Sequence, residues 1–91
     1  MKENIQELSE LLAFTNDPVE IRTFFESLLT TKELNDISSR WEIVKRLDDG
    51  QTQRKIASDL HLSLCKITRG SKELQKKNSV LKRFLKLINK Y

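Results

Sequence analysis

Apolar side chains recur along the chain at the three- and four-residue spacing of a helical face. Ile5, Leu8, Leu11 and Leu12 form one such stripe, which stops near Asn16. Asp17-Pro18-Val19-Glu20 then predicts a second helix. Asp17 supplies the N-cap, Pro18 suits a first turn whose N–H has no helical partner, and Glu20 completes a capping box. Its apolar face is Ile21, Phe24, Phe25 and Leu28. Thr30-Thr31-Lys32-Glu33 repeats the capping box and opens a third helix, with Leu34, Ile37, Trp41, Val44 and Leu47 on one stripe and Gly50 as a left-handed cap. Near the C-terminus Leu81, Phe84, Leu85 and Ile88 lie opposite Lys82, Arg83, Lys86 and Lys90, predicting a helix that packs. Phe and Trp at these spacings read as core residues rather than as a ligand platform.

The thirty-nine residues from Asp36 to Leu74 carry a helix-turn-helix pattern. One helix ends at Asp49-Gly50, Thr52 opens a short helix Gln53–Leu60, a turn covers His61–Ser63, and a second helix runs LCKITRGSKEL with Ser63 as its cap. Ile56, Leu60, Leu62 and Ile67 fall where two crossed helices need apolar contacts, with Ala57 as the small residue at their close approach. His61 occupies the turn position where a left-handed residue is needed, a conformation histidine adopts more readily than most. The fold expected is all-α: one domain over residues 1–91, built of short helices, with the helix-turn-helix at about 53–74.

Composition narrows the function. A chain of 91 residues buries only a modest fraction of its unfolded surface, a cost that a dimer would relieve. With 37% hydrophobic and 33% charged residues, and only two Gly and one Pro, it reads as an ordered helical protein. No apolar stretch is long enough to span a membrane and no signal region follows Met1-Lys2, so a cytoplasmic location is expected. A lone Cys65 and a lone His61 offer no internal disulfide, no zinc set and no nucleophile-base pair, which argues against an enzyme and against a metal cofactor. The net charge of +4 is unevenly spread. Residues 1–30 hold two basic and six acidic side chains, whereas residues 61–91 hold nine basic and only Glu73 acidic. That polarity favours a polyanionic partner at the C-terminal end, although a solvated lysine face gives the same pattern.

Leu29-Thr30, Ser39-Arg40, Ile43-Val44, Gly50, Gln53-Arg54 and above all Ile67-Thr68-Arg69-Gly70-Ser71 give the chain a resemblance to the bacterial tryptophan operon repressors over about Leu29 to Leu74. One residue is deleted around Gly50–Thr52 relative to well-known members. The resemblance implies an intertwined homodimer whose two reading heads enter successive major grooves of a palindromic operator on double-stranded DNA, with L-tryptophan as corepressor. It implies that the indole is sandwiched between Arg40 and Arg69, that Arg69 and Thr30 hold the carboxylate, and that Ile43, Val44 and Gly70 lie beside the ring. Guanidinium groups suit such stacking, and a carboxylate suits a charged donor plus a hydroxyl. Where the family has a serine that meets the ligand ammonium, this chain has Glu73. That carboxylate either pairs with the ammonium or binds Arg40 or Arg69 and fills the pocket itself.

For DNA, the resemblance and the motif together select Gln53 and Arg54 at the start of the first motif helix, and Leu64, Cys65, Lys66 and Thr68 on the reading surface. Arg54 and Lys66 are suited to phosphate or guanine, and Lys72 adds a phosphate contact where relatives have a neutral amide. Three classes of function follow. The chain is a tryptophan-responsive repressor of tryptophan biosynthesis or transport genes, a regulator that ignores tryptophan, or a helical module whose basic end binds an acidic protein.

Overall fold

The computed structural model describes residues 2–89 and places them in six helices, with no strand among them. These are α1 (Lys2–Phe14), α2 (Pro18–Leu28), α3 (Thr31–Asp48), α4 (Gln53–Leu60), α5 (Leu64–Gln75) and α6 (Val80–Ile88). Lys90, expected on the cationic side of the last helix, lies outside the described residues. The chain forms two compact units, Met1–Asn35 and Asp36–Tyr91.

In the first unit, local side-chain chemistry sets the helix starts. The Asp17 carboxylate accepts from the Val19 N–H at 3.0 Å and so caps α2, with Pro18 in the first turn. Glu20 returns no bond to Asp17 among the described residues, so the cap is one-sided rather than the reciprocal box expected. At α3 the box is complete: the Glu33 N–H donates to Thr30 Oγ1 at 3.1 Å, and the Thr30 N–H donates to Glu33 Oε1 at 2.8 Å. Leu8, Leu12, Ile21 and Phe24 are half-buried, and no described residue of the unit is fully buried. Phe14 is 88% and Val19 72% exposed.

The second unit has two apolar clusters that share α3. Ile43, Ile56 and Ile67 meet with Leu47, Ala57, Leu60 and Leu62 around them, joining α3, α4 and α5. Val44, Leu74 and Leu85 meet with Trp41, Leu47 and Leu81, joining α3, α5 and α6. Burying each such aliphatic side chain contributes about 1.5–3 kcal/mol relative to leaving it in water, so these six residues hold the unit together. The first cluster contains the expected contacts between the two crossed helices, and Ile43 is part of it as well.

Both turns that frame α4 use the same device. After α3 the Gly50 N–H donates to Leu47 O and the Gln51 N–H to Arg46 O, each at 3.1 Å, with Gly50 at φ 90°. After α4 the His61 N–H donates to Ser58 O at 3.4 Å and the Leu62 N–H to Ala57 O at 3.1 Å, with His61 at φ 55° and ψ 44°. These paired bonds satisfy the last carbonyls of a helix only if the residue after it is left-handed. Histidine therefore does the work of glycine at the second turn.

Two apolar stripes pack differently from the expectation. In α6 only Leu81 and Leu85 reach the core, while Phe84 remains 55% exposed and Ile88 is also exposed. In α3, Ile37 is exposed. Among the described aromatic side chains, Trp41 packs against the second cluster and Phe24 is half-buried, whereas Phe14, Phe25 and Phe84 are exposed, so the reading of Phe and Trp as core residues holds only in part. Periodicity identifies an apolar face; among the described residues much of it stays exposed.

Candidate nucleic-acid interface

Helices α4 and α5 form a rigid pair. Ile56 and Ile67 are both wholly buried at their crossing, and His61 turns the chain between them. A polar contact then fixes the open side: the Thr68 hydroxyl donates to Gln53 Oε1 at 2.9 Å, tying the middle of α5 to the first residue of α4. Using the amide oxygen in this way leaves the Gln53 amide hydrogens free to donate outward. Thr52 caps α4 by accepting from the Lys55 N–H at 3.2 Å. Ser63 has the extended backbone of an N-cap but takes no cap bond, contrary to its expected role, so its hydroxyl is not engaged by its own helix.

The residues selected for DNA contact lie on this pair. Arg54, Leu64, Cys65, Lys66 and Lys72 are exposed, and Gln53 and Thr68 are half-buried by their mutual bond. Arg54, Lys66 and Lys72 make no ion pair among the described residues. The neighbouring acids, by contrast, are neutralised. Asp59 pairs with Lys55 at 2.8 Å and with Arg46 of α3 at 3.4 Å, and Glu42 pairs with Arg46 at 2.7 Å and Lys45 at 3.1 Å. The hydrogen bond from Lys55 holds the Asp59 carboxyl below its ordinary range, and the bond from Arg46, then that from Lys45, does the same for Glu42. Uncompensated positive charge is thus left on the exposed side of α4 and α5, to which a phosphate backbone is complementary.

The Arg46–Asp59 contact was not foreseen. Its helical half was visible, since Glu42 and Arg46 stand four apart on α3, but Asp59 lies thirteen residues further on and joins them only through the fold.

The effector residues implied by the resemblance are distributed as follows. Arg40, Ile43, Val44 and Leu47 share one stripe of α3 at i, i+3, i+4 and i+7. Gly70 of α5 faces that stripe: a Cβ built on it would stand 3.2 Å from Ile43 Cγ2, 3.5 Å from Leu47 Cδ1 and 3.9 Å from Val44 Cγ2. The crossing therefore brings Ile43, Val44 and Gly70 together, with Ile43 and Val44 buried. Arg40 and Arg69 are exposed and unpaired among the described residues. Glu73 reaches neither arginine and instead pairs with Lys76 on its own helix at 2.9 Å. Thr30, in the first unit, accepts the cap bond from Glu33 and keeps its hydroxyl hydrogen free to donate. The described residues contain no group of three His, Cys, Asp or Glu able to hold a metal ion. No described helix is long and apolar enough to cross a membrane.

The family model described as Trp repressor protein matches residues 3–89. A Trp operon repressor homolog of Chlamydia caviae is 38% identical over 82 residues, covering 89% of this chain and 81% of that protein. One of Xylella fastidiosa is 35% identical over 80 residues, covering 87% and 85%, and one of Chlamydia trachomatis serovar L2 is 36% identical over 66 residues, covering 71% and 70%. No solved structure matches the chain. A family match over nearly the whole length, joined to a helix-turn-helix with an unpaired cationic face, shows that the chain belongs to the Trp repressor family of DNA-binding transcription regulators, which are not enzymes.

Proposed function

We propose that the chain is a tryptophan-responsive repressor that binds palindromic operators of tryptophan biosynthesis or transport genes as an intertwined homodimer. The observation that carries the DNA half of this reading is the α4–α5 pair, locked by Ile56, Ile67 and the Thr68–Gln53 bond, with Arg54, Lys66 and Lys72 uncompensated on its open side. A rigid head spends little binding free energy on ordering itself, and unpaired cations place its charge toward phosphate. Gln53, Arg54, Leu64, Cys65, Lys66, Thr68 and Lys72 are the proposed contacts.

The homodimer is supported by apolar surface. Ile5, Leu11, Phe14, Val19, Leu28, Ile37, Phe84 and Leu87 are all exposed, which is far more than scattered surface residues account for. A second copy of the chain covers such surface symmetrically and supplies the core a short chain lacks.

L-tryptophan is the proposed corepressor, through the residues named by the resemblance, and it acts by shifting the population of head orientations toward the one that fits the operator. Gly70 and Glu73 favour a second reading. The missing Cβ of Gly70 is already explained by contact with Ile43, without any ligand, and Glu73 is held by Lys76. In that reading the head binds DNA without tryptophan. Calorimetric titration with L-tryptophan, using D-tryptophan and indole-3-acetate as controls, separates the two. Stereoselective binding at one site per subunit supports the corepressor; absence of heat at several temperatures, with no thermal stabilisation, leaves the tryptophan-independent regulator.

A further inference from the structure

Helix α6 presents three distinct faces. Leu81 and Leu85 pack into the cluster with Val44 and Leu74. Val80, Phe84, Leu87 and Ile88 form an exposed apolar strip beside them. Lys82, Arg83 and Lys86, at i, i+1 and i+4, form a third flank, also exposed. No acidic residue occurs anywhere from Leu74 to Tyr91. Lys77, Lys82, Arg83 and Lys86 accordingly make no ion pair among the described residues.

Exposed cations also occur on α5, the helix against which α6 packs. Cys65, Arg69 and Lys72 stand at i, i+4 and i+7 on the exposed side of α5, and Lys76 follows as the extended residue after that helix. Glu73, the only acid of residues 61–91, takes up Lys76 and leaves the others uncompensated. Covering the apolar strip with a second copy of the chain would leave the basic flank outside, because the two occupy different sectors of the helix. Several unpaired cations held on one flank match a regularly spaced polyanion, and the packing of α6 against α5 favours the duplex to which α5 is proposed to bind.

We propose that Lys82, Arg83 and Lys86 form a second phosphate-contacting surface that grips the DNA backbone outside the segment read by α5 and lengthens the footprint of the protein. The proposal rests on the reading of α4–α5 as the DNA-binding head. It adds affinity without sequence information, and it makes binding steeper in salt than the head alone provides.

The test uses the full chain carrying Lys82→Gln, Arg83→Gln and Lys86→Gln together, with Lys66→Gln in parallel, on a mixed-sequence duplex of about 40 base pairs. Each lost phosphate contact removes about 0.9 from the slope of log affinity against log salt, so the triple variant is expected to flatten it by roughly two to three. Helicity by circular dichroism stays unchanged, since all three side chains are exposed, and on a duplex of about 15 base pairs the difference shrinks. An unchanged slope on the long duplex overturns the proposal. So does a variant that loses binding to phosphatidylserine vesicles while its duplex slope is intact, which would assign the flank to a membrane surface. If Lys66→Gln leaves duplex binding untouched while the triple variant flattens the slope, Lys66 is removed from the contacts of the head and the α6 surface stands. The reverse pattern keeps the head and removes the surface.

Discussion

Gly70 and Ile43 touch across the crossing of α5 and α3 so closely that a Cβ on Gly70 would lie 3.2 Å from Ile43 Cγ2. Two effects therefore oppose each other in Gly70→Ala. Alanine gains about 0.5–1 kcal/mol of helix propensity, whereas crowding a packed core costs about 1–3 kcal/mol. Ile43 is only 2% exposed and cannot yield outward, so crowding wins. The expected result is a net loss of about 1 kcal/mol in urea unfolding. In an Ile43→Ala background, which opens space at the contact, Gly70→Ala is expected to become neutral or stabilising. Additive effects of the two substitutions would show that the contact does not govern Gly70.

The Thr68–Gln53 bond makes a second prediction. Thr68→Val keeps the shape of the side chain but removes the donor, leaving Gln53 Oε1 without its partner in a half-buried position. A net hydrogen bond is worth about 0.5–1.5 kcal/mol, and that is the stability loss expected. Duplex affinity is expected to fall as well, because α4 and α5 are no longer held at a fixed angle on the side proposed to meet DNA. A double-mutant cycle with Gln53→Ala checks it: the paired variant should lose less than the sum of the single ones.

The link from α3 to the reading head depends on pH. Glu42 and Asp59 are both held below their ordinary values of 4.5 and 3.8, Glu42 chiefly by Arg46 and Asp59 chiefly by Lys55. A carboxyl depressed in the folded state binds fewer protons there than when unfolded, so its stabilisation is complete above the ordinary value and is lost as pH falls through the folded one. Asp59→Asn is therefore expected to destabilise most near neutral pH, and the difference from the unsubstituted protein should vanish in strong acid. Because Asp59 and Lys55 are exposed, added salt should shrink it too. Chemical denaturation across pH 2 to 7 at two salt concentrations reads both dependences, and a difference that stays constant with pH would rule out the ion pair as its source.

What could be read from sequence divides by range. The Thr30–Glu33 box, the Gly50 cap and the left-handed His61 were all legible because each is decided within five residues of chain. The crossing of Ile56 and Ile67 was legible because two amphipathic helices joined by a tight turn have few ways to bury their stripes. Arg46–Asp59 and Gly70–Ile43 were not, since each joins residues that come together only when α3 docks on the head. Gly70 shows the hazard: the resemblance implies that it lies beside a ligand ring, whereas within the chain its close neighbour is Ile43. Phe84 and Ile88 show another. Their spacing marked an apolar face, yet both side chains stay exposed among the described residues.

His61 tests the turn between α4 and α5. It holds φ 55° so that its own N–H and that of Leu62 can satisfy Ser58 O and Ala57 O. A side chain in that conformation costs about 1–2 kcal/mol, and glycine gives back about 0.5–1 kcal/mol through its greater freedom when unfolded. His61→Gly is thus expected to stabilise the protein by up to about 1 kcal/mol. His61→Val, whose branched side chain tolerates the left-handed region poorly, is expected to destabilise it by more than 1 kcal/mol. Thermal unfolding of both variants checks the ordering, and a Val variant as stable as Gly would mean that the turn relaxes out of the left-handed conformation.

Lys66 and Arg69 separate the two halves of the proposed function, because they stand one turn apart on α5 and are both exposed and unpaired. Lys66, early in the recognition helix, has no assigned effector contact. Its replacement by alanine should weaken operator binding by about 1–3 kcal/mol if it reads a base, or flatten the salt dependence if it meets phosphate. Arg69 is proposed to stack on the indole and hold the carboxylate. Arg69→Ala should therefore abolish the response to L-tryptophan while the dimer stays intact by sedimentation and DNA is still bound at the unliganded level. Operator titrations with and without L-tryptophan distinguish the roles. An Arg69→Ala protein that still responds would remove that arginine from the effector site, whereas a Lys66→Ala protein with unchanged affinity and slope would move the reading surface off the start of α5.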